Sequence, residues 1–191
     1  FIQNHPVFAT PLSPFVLHGP APAIPRDMVA ASAAAKVGPM AAVAGAVAET
    51  VGRELCGLSA EVIVENGGDT FIRVQEPLTM AIAAGNSPLS MKVGLSFNRT
   101  DAPFSVCTSS GTVGHSLSFG KADAVCIVAA SASLADAAAT AVGNRVRTGR
   151  DIDGAIRLGK TIEGVEGIVI IVGRDMGLWG DVELVRLAKK S

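Results

Sequence analysis

Aromatic side chains are scarce in this sequence. Tyrosine is absent, tryptophan occurs once, and aromatics make up 4% of 191 residues. A ligand that binds by ring stacking therefore has few partners, with Phe71, Phe104, Phe119 and Trp179 as the candidates. The core must be built from small and branched aliphatic side chains instead. Cysteine is scarce as well. Cys56, Cys107 and Cys126 are scattered, no two at metal-ligand spacing, and the odd count argues against a disulfide framework. This usage reads as a reduced, cytosolic (cytoplasmic) protein. Neither sign of charge dominates, since 16 basic and 17 acidic residues leave a net charge of −1. Without a basic patch, no nucleic acid partner is expected, and Lys189-Lys190 reads as a solvated tail. The one long apolar stretch, residues 28–49, is mostly alanine and is interrupted by Lys36, Gly38 and Pro39. It predicts buried helix and no membrane span. No signal peptide is visible, and the sequence opens at Phe1 rather than Met, so residues 1–25 are expected to belong to a longer N-terminal region.

What the sequence has in abundance is small apolar residues. Apolar types make up 49% of it, chiefly alanine and valine, beside 21 glycines. That balance suits an α/β or α+β protein with close helix–sheet packing and tight turns. Six of the ten prolines precede Asp27, so residues 1–25 are expected to be extended or looped. Residues 26–191 are expected to form one layered α+β domain. Helical patterns start at Arg26 and, with Pro39 in the first turn, run over 40–55. Strand patterns occupy 60–65, 70–74, 78–84, 91–97 and 124–129. Helices follow over 133–147 and 152–160, then a strand at 167–172, a turn at 173–177 and a last strand at 178–187.

Four segments offer chemistry. Asp136, Thr140 and Asn144 recur every four residues on an alanine-rich helix, so a carboxylate, a hydroxyl and an amide share one face. A hard cation such as Mg²⁺ takes oxygen ligands of this kind, which makes Asp136 and Thr140 the metal candidates. The same stripe could also face solvent or cap a neighbour. Glu65-Asn66-Gly67-Gly68-Asp69 follows an apolar run. It reads either as a hairpin with a type I′ turn or as a place where a ligand meets the backbone, with Asn66 and Asp69 at a strand end. Cys107-Thr108-Ser109-Ser110-Gly111 runs on to Gly114-His115-Ser116. This hydroxyl- and glycine-rich stretch reads as a surface loop or as an anion cradle, and lacks the Gly-Lys-Ser/Thr ending of a phosphate-binding loop. His115 beside it is a candidate general base, or a structural histidine. Cys107 reads as a buried, inert thiol. Gly38 to Ala46 places Met40, Ala41 and Ala42 at a helix start, open either to a phosphorylated ligand or to tight helix packing.

Taken together and in this order, these segments resemble the ApbE superfamily of Mg²⁺-dependent flavin transferases. The match spans Gly38 to Asn144, and the Ala135 to Ala141 helix is its most specific part. More closely, the sequence is similar to an uncharacterised branch of ApbE-like proteins. Three segments carry that likeness: Val37 to Ala46, Val64-Glu65-Asn66-Gly67-Gly68-Asp69, and Cys107 to Ser116. The resemblance implies an ApbE-like α+β fold related to the tunnelling fold, with layered helices on antiparallel sheets. It implies FAD bound by Met40, Ala41, Ala42, Asn66, Gly67, Gly68, Asp69, Thr108, Ser109, Ser110 and Gly111. It further implies Mg²⁺ on Asp136 and Thr140, His115 as the catalytic base, and an acceptor protein that receives FMN; apart from the resemblance, a homo-oligomer is one open partner expectation. The transferase pattern also has a lysine at the helix start and a His-His-Ile-Ile-Asp-Pro segment. Here Ala42-Val43-Ala44 and Gly114-His115-Ser116-Leu117-Ser118-Phe119 stand in their place. The alternative implied is an ApbE-like protein that binds a ligand or partner without catalysis, in the branch's association with sulfur assimilation.

Overall fold

The computed structural model describes residues 1–112 and 118–188. Helix α1 (Ala23–Ala35) is followed by a 3-10 turn at Pro39–Ala42 and helix α2 (Val43–Leu55). Strands β1 (Val62–Asn66), β2 (Asp69–Arg73), β3 (Leu78–Ala81), β4 (Val93–Phe97), β5 (Phe104–Ser109) and β6 (Ala124–Ala129) come next. Helices α3 (Ala132–Gly143) and α4 (Ile152–Gly159) precede strands β7 (Val165–Val172), β8 (Asp175–Gly180) and β9 (Glu183–Arg186). Six strands form one antiparallel sheet in the order β1-β2-β5-β6-β7-β8, and β3-β4-β9 form a second antiparallel sheet.

The layers follow from the two-residue period of the central strands. On β6, Val125, Ile127 and Ala129 join the core beneath the helices, whereas Ala124, Cys126 and Val128 join the core against the small sheet. On β7, Ile168 and Ile170 face the first core and Val169 and Ile171 the second. A strand buried on both faces has no polar side to show, which is why 124–129 reads as a continuous apolar run. The order is thus helices, large sheet, small sheet, the layered α+β arrangement that the sequence resemblance implies.

Helix α3 sits at the centre of the helical layer. Ser131 is its N-cap, accepting from Leu134 N–H at 3.4 Å. Nine of its residues, Ala132 to Gly143 apart from Leu134, Asp136 and Thr140, are buried, and six of the nine are alanine, so its neighbours approach closely. The hairpin predicted at Asn66 forms: Asn66 pairs with Asp69 across Gly67 (φ +68°) and Gly68 (φ +104°). Two positive φ values in the two-residue loop are what a type I′ turn requires.

Several element assignments differ from the sequence pattern. The stretch from Cys107 is not all loop, because Cys107, Thr108 and Ser109 end β5 and pair with β2 and β6. Its β-branched and apolar residues satisfy a ladder, and only the Ser/Gly tract beyond resembles a loop. The last strand is two. Gly180, at φ +90°, ends β8 against the backbone of Glu166, and β9 crosses to the small sheet. Residues 1–25 carry a 3-10 turn at Pro6–Ala9, and α1 starts at Ala23. Among the described residues no single helix is long and apolar enough to cross a membrane, and α1 and the Pro39–Leu55 segment meet at a 104° bend.

Candidate functional site

The polar stripe of α3 faces a cavity of about 970 Å³. Asp136, Thr140 and Asn144 all line it. Opposite them stand the hairpin tip, with Glu65, Gly67, Gly68 and Asp69, and the end of β5, with Thr108, Ser109 and Ser110. The approach to α2 adds Gly38, Met40, Ala41, Val43 and Ala44. The remaining wall is apolar: Met80, Ile82 and Leu95 from the small-sheet side, and Pro11 and Leu12 from the N-terminal segment. The volume lies at the upper end of the roughly 300–1,000 Å³ usual for small-molecule sites.

Several of these polar groups are held by hydrogen bonds. Asp136 Oδ2 accepts from Gly45 N–H at 3.0 Å, which fixes the carboxylate against the first turn of α2. Asn144, the C-cap of α3, accepts through Oδ1 from Phe119 N–H at 2.9 Å. Thr108 Oγ1 donates to Cys126 Sγ at 3.3 Å. Gly68 N–H donates to Glu65 Oε1 at 3.0 Å, bracing the hairpin tip.

Ten residues singled out from the sequence line this cavity: Met40, Ala41, Gly67, Gly68, Asp69, Thr108, Ser109, Ser110, Asp136 and Thr140. Three others stand back from it. Ala42 is fully buried in the core beneath the helices. Asn66 turns its amide to donate to Ala44 C=O at 3.2 Å. Gly111 N–H donates to Ala122 C=O at 2.9 Å, and its α-carbon packs against Gly120. His115 lies outside the described residues. Of the four aromatic candidates only Phe119 lines the cavity. Phe71 and Phe104 are fully buried, and Trp179 lies under the Lys160 ammonium at 5.2 Å.

The electrostatics are one-sided. Glu65, Asp69 and Asp136 line the cavity, and no lysine, arginine or histidine does among the described residues. Burial pushes the Asp69 carboxyl up to about 7, with the charge of Glu65 adding to it, while hydrogen bonds from Cys107 and from Thr108 N–H act in the opposite sense. Burial raises Asp136 as well, and the nearby Asp69 charge adds to that. Two carboxylates that resist ionising together in one cavity are a poor place for a bare anion and a good one for a cation. Among the described residues there is no group of three or more His, Cys, Asp or Glu placed to hold a metal. Mg²⁺ does not need one, since it commonly takes one or two carboxylates together with substrate phosphates and water.

Neither Cys107 nor Cys126 is set up as a nucleophile. Cys107 is fully buried, donates to Ala132 C=O at 3.4 Å and does not line the cavity. Burial raises its thiol well above the usual range, helped by the charges of Asp69 and Asp136. Cys126 does reach the cavity, yet burial pushes its thiol up to about 11.

One residue that shapes the site escaped the sequence reading. Glu49 lies one turn after Gly45 on α2 and reaches the start of α3. Its Oε2 accepts from Ser131 Oγ at 2.9 Å, Ala132 N–H at 2.8 Å and Ser133 N–H at 3.3 Å. An acidic side chain at the N-terminus of a helix is favoured by the helix dipole. Because 82 residues separate Glu49 from Ser131, no local pattern announces the pairing.

Comparison with known proteins places this architecture. A family model described as AbpE bacteria matches residues 1–178. A UPF0280 protein of Methanococcus aeolicus is 37% identical over 196 residues, covering 100% of this chain and 79% of the relative. One from Methanocaldococcus jannaschii is 41% identical over 197 residues, covering 100% and 80%. Among solved structures, the apo flavinyl transferase ApbE of Pseudomonas stutzeri superposes with a TM-score of 0.53 at 16% identity, covering 76% of this chain and 48% of that one. The chain thus spans about half the length of that solved transferase, and the likeness is one of fold.

Proposed function

The chain belongs to the AbpE bacteria family, an ApbE-like group, and from that premise we propose that it binds a flavin nucleotide with Mg²⁺ and acts on the FAD pyrophosphate. Two outcomes are open to such a site: transfer of FMN to a hydroxyl of an acceptor protein, or hydrolysis to FMN and AMP. The observation that carries the proposal is the convergence of Asp136 and Thr140 on a cavity that also holds Asp69 and the Gly67-Gly68 turn, with no cationic side chain among the described lining residues. A pyrophosphate brings negative charge to a wall that already carries three carboxylates, so it needs a bound cation to enter. The donor set fits Mg²⁺. A carboxylate and a hydroxyl one helical turn apart offer hard oxygen ligands, and Asp69 adds a second carboxylate in the same cavity. When bound, Mg²⁺ would neutralise the pyrophosphate and ease departure of AMP.

The chain's own residues do the rest. Gly45 N–H orients the Asp136 carboxylate. Gly67 and Gly68 keep the hairpin tip free of side chains, so a phosphate oxygen can approach the backbone. Thr108, Ser109 and Ser110 present hydroxyls to the same cavity. Met40, Met80, Ile82 and Leu95 offer an apolar wall for a ring system, with Phe119 the aromatic at the cavity. His115 is proposed as the base that takes the proton of the attacking hydroxyl or water.

A second reading, ligand binding without catalysis, is favoured by Phe119 being the one aromatic among the described cavity residues and by the missing transferase lysine and Asp-Pro. One titration begins to separate them. FAD is titrated into metal-free protein with and without Mg²⁺, with ADP as a control. Mg²⁺-dependent FAD binding that Asp136→Ala abolishes is the expected result, and AMP release is then assayed with and without an acceptor peptide. FAD binding without AMP release selects the second reading. Binding of neither nucleotide removes the flavin reading and leaves the second, with a ligand or partner of another kind.

A further inference from the structure

A second concave surface shares no lining residue with this cavity. It encloses about 570 Å³ where the end of α3 turns into α4, and Arg145, Arg150 and Arg157 line it. None of these three guanidinium groups is in an ion pair: among the described residues the pairs are Arg53–Glu49 and Arg99–Glu166. Two carboxylates share the wall, Asp151 and Asp153. That of Asp151 is already engaged, its Oδ2 accepting from Arg147 N–H at 3.0 Å and from the Thr148 N–H and hydroxyl at 2.8 and 3.1 Å. This capping box fixes the Gly149–Asp151 turn and so fixes the position from which Arg150 projects. Gly154 and Ala155 add small residues to the floor, and a Cβ on Gly154 would stand 3.8 Å from Arg157 Nη2.

Arg145 in the turn after α3, Arg150 in the Gly149–Asp151 turn and Arg157 on α4 are exposed, have no ion-pair partner among the described residues, and gather on one concave wall beside Asp151 and Asp153. A planar guanidinium fork matches the oxygens of a phosphate two at a time, and several forks can share one dianion. We propose that this pocket is a second anion site, separate from the nucleotide cavity, that takes the phosphate or diphosphate group of a small molecule on Arg145, Arg150 and Arg157.

The test uses the full chain freed of divalent cations, so that the first cavity has no bound cation with which to hold an anion. Inorganic pyrophosphate is titrated in by calorimetry at near-physiological salt, where loose surface attraction is largely screened. Saturable 1:1 binding is expected, weakened at least about tenfold in Arg150→Ala/Arg157→Ala. Asp136→Ala should bind pyrophosphate with the parent's affinity, which separates this site from the first cavity. Arg157→Lys keeps the charge and loses the fork, so it should bind several-fold more weakly. No saturable binding at millimolar pyrophosphate overturns the proposal. So does parental affinity in the double variant or in Arg157→Lys, or a loss confined to Asp136→Ala.

Discussion

A Cβ on Gly45 would stand 2.2 Å from the carbonyl oxygen of Ala132 and 2.9 Å from Cβ of Asp136. Both are closer than real side chains come, and the first neighbour is backbone that cannot swing aside. In an ordinary helix interior Gly→Ala would stabilise by about 1 kcal/mol. Here the two helices must separate to admit the methyl, which also pulls Gly45 N–H off Asp136. Gly45→Ala is therefore expected to lower the melting temperature and to weaken Mg²⁺-dependent FAD binding together. Gly154 on α4 is the internal control. Its nearest neighbour would be the end of the flexible Arg157 side chain at 3.8 Å. Gly154→Ala should raise stability by roughly 0.5–1 kcal/mol. Thermal melts of both variants check the pair, and equal shifts in the same direction would sink the argument that close helix approach sets the sign.

Helices α2 and α3 meet through two residues one turn apart, Gly45 and Glu49. The Glu49 carboxylate gathers three donors at the start of α3, and its side chain is mostly covered, at 14% exposure, while its other partner Arg53 is 58% exposed. The two contacts should differ in worth. An exposed i,i+4 ion pair contributes roughly 0.3–0.5 kcal/mol. A charged cap on buried helix N–H groups contributes about 1–2 kcal/mol. Glu49→Gln is thus expected to cost more stability than Arg53→Ala, by denaturant titration, and to loosen amide-exchange protection at 131–135. If Arg53→Ala proves the costlier change, the cap is not what holds α3. This same contact marks where the sequence stops being legible. The hairpin at Asn66 announces itself because its turn needs two positive φ residues and has two glycines to supply them. The stripe on α3 announces itself because helical periodicity is local. The contacts of Glu49 across 82 residues, the acidic partner role of Asp69 and the apolar wall of Met80, Ile82 and Leu95 depend on how layers stack, which no local period encodes. Even β5 hides, because Thr108 and Ser109 serve a ladder as well as they would serve a loop.

At the scale of the whole molecule, the carboxylates that define the cavity also set how its stability answers pH. Asp69 titrates at about 7 in the folded chain against 3.8 for the free side chain, chiefly because it is buried. Asp136 is raised for the same first reason. Between those two values the native state holds protons that the unfolded chain has already released. Stability tied to these groups is fully present below pH 4 and is lost as pH rises through the folded value. For one such group the slope is about 1.4 kcal/mol per pH unit across the window. Asp151 runs the other way, since hydrogen bonds from Arg147, Thr148 and the Thr148 hydroxyl lower it below 3.8. Its contribution is lost only in acid, outside this window. The metal-free protein should accordingly show a lower urea midpoint at pH 8 than at pH 5, and Asp69→Asn should flatten the difference. Mg²⁺ competes with the protons for the same oxygens, so its stabilising effect should be larger at pH 8 than at pH 5. A parent midpoint that does not change from pH 5 to pH 8 would mean the two carboxyls ionise freely in the folded state. The cavity would then lack the proton-for-cation exchange on which the nucleotide reading depends.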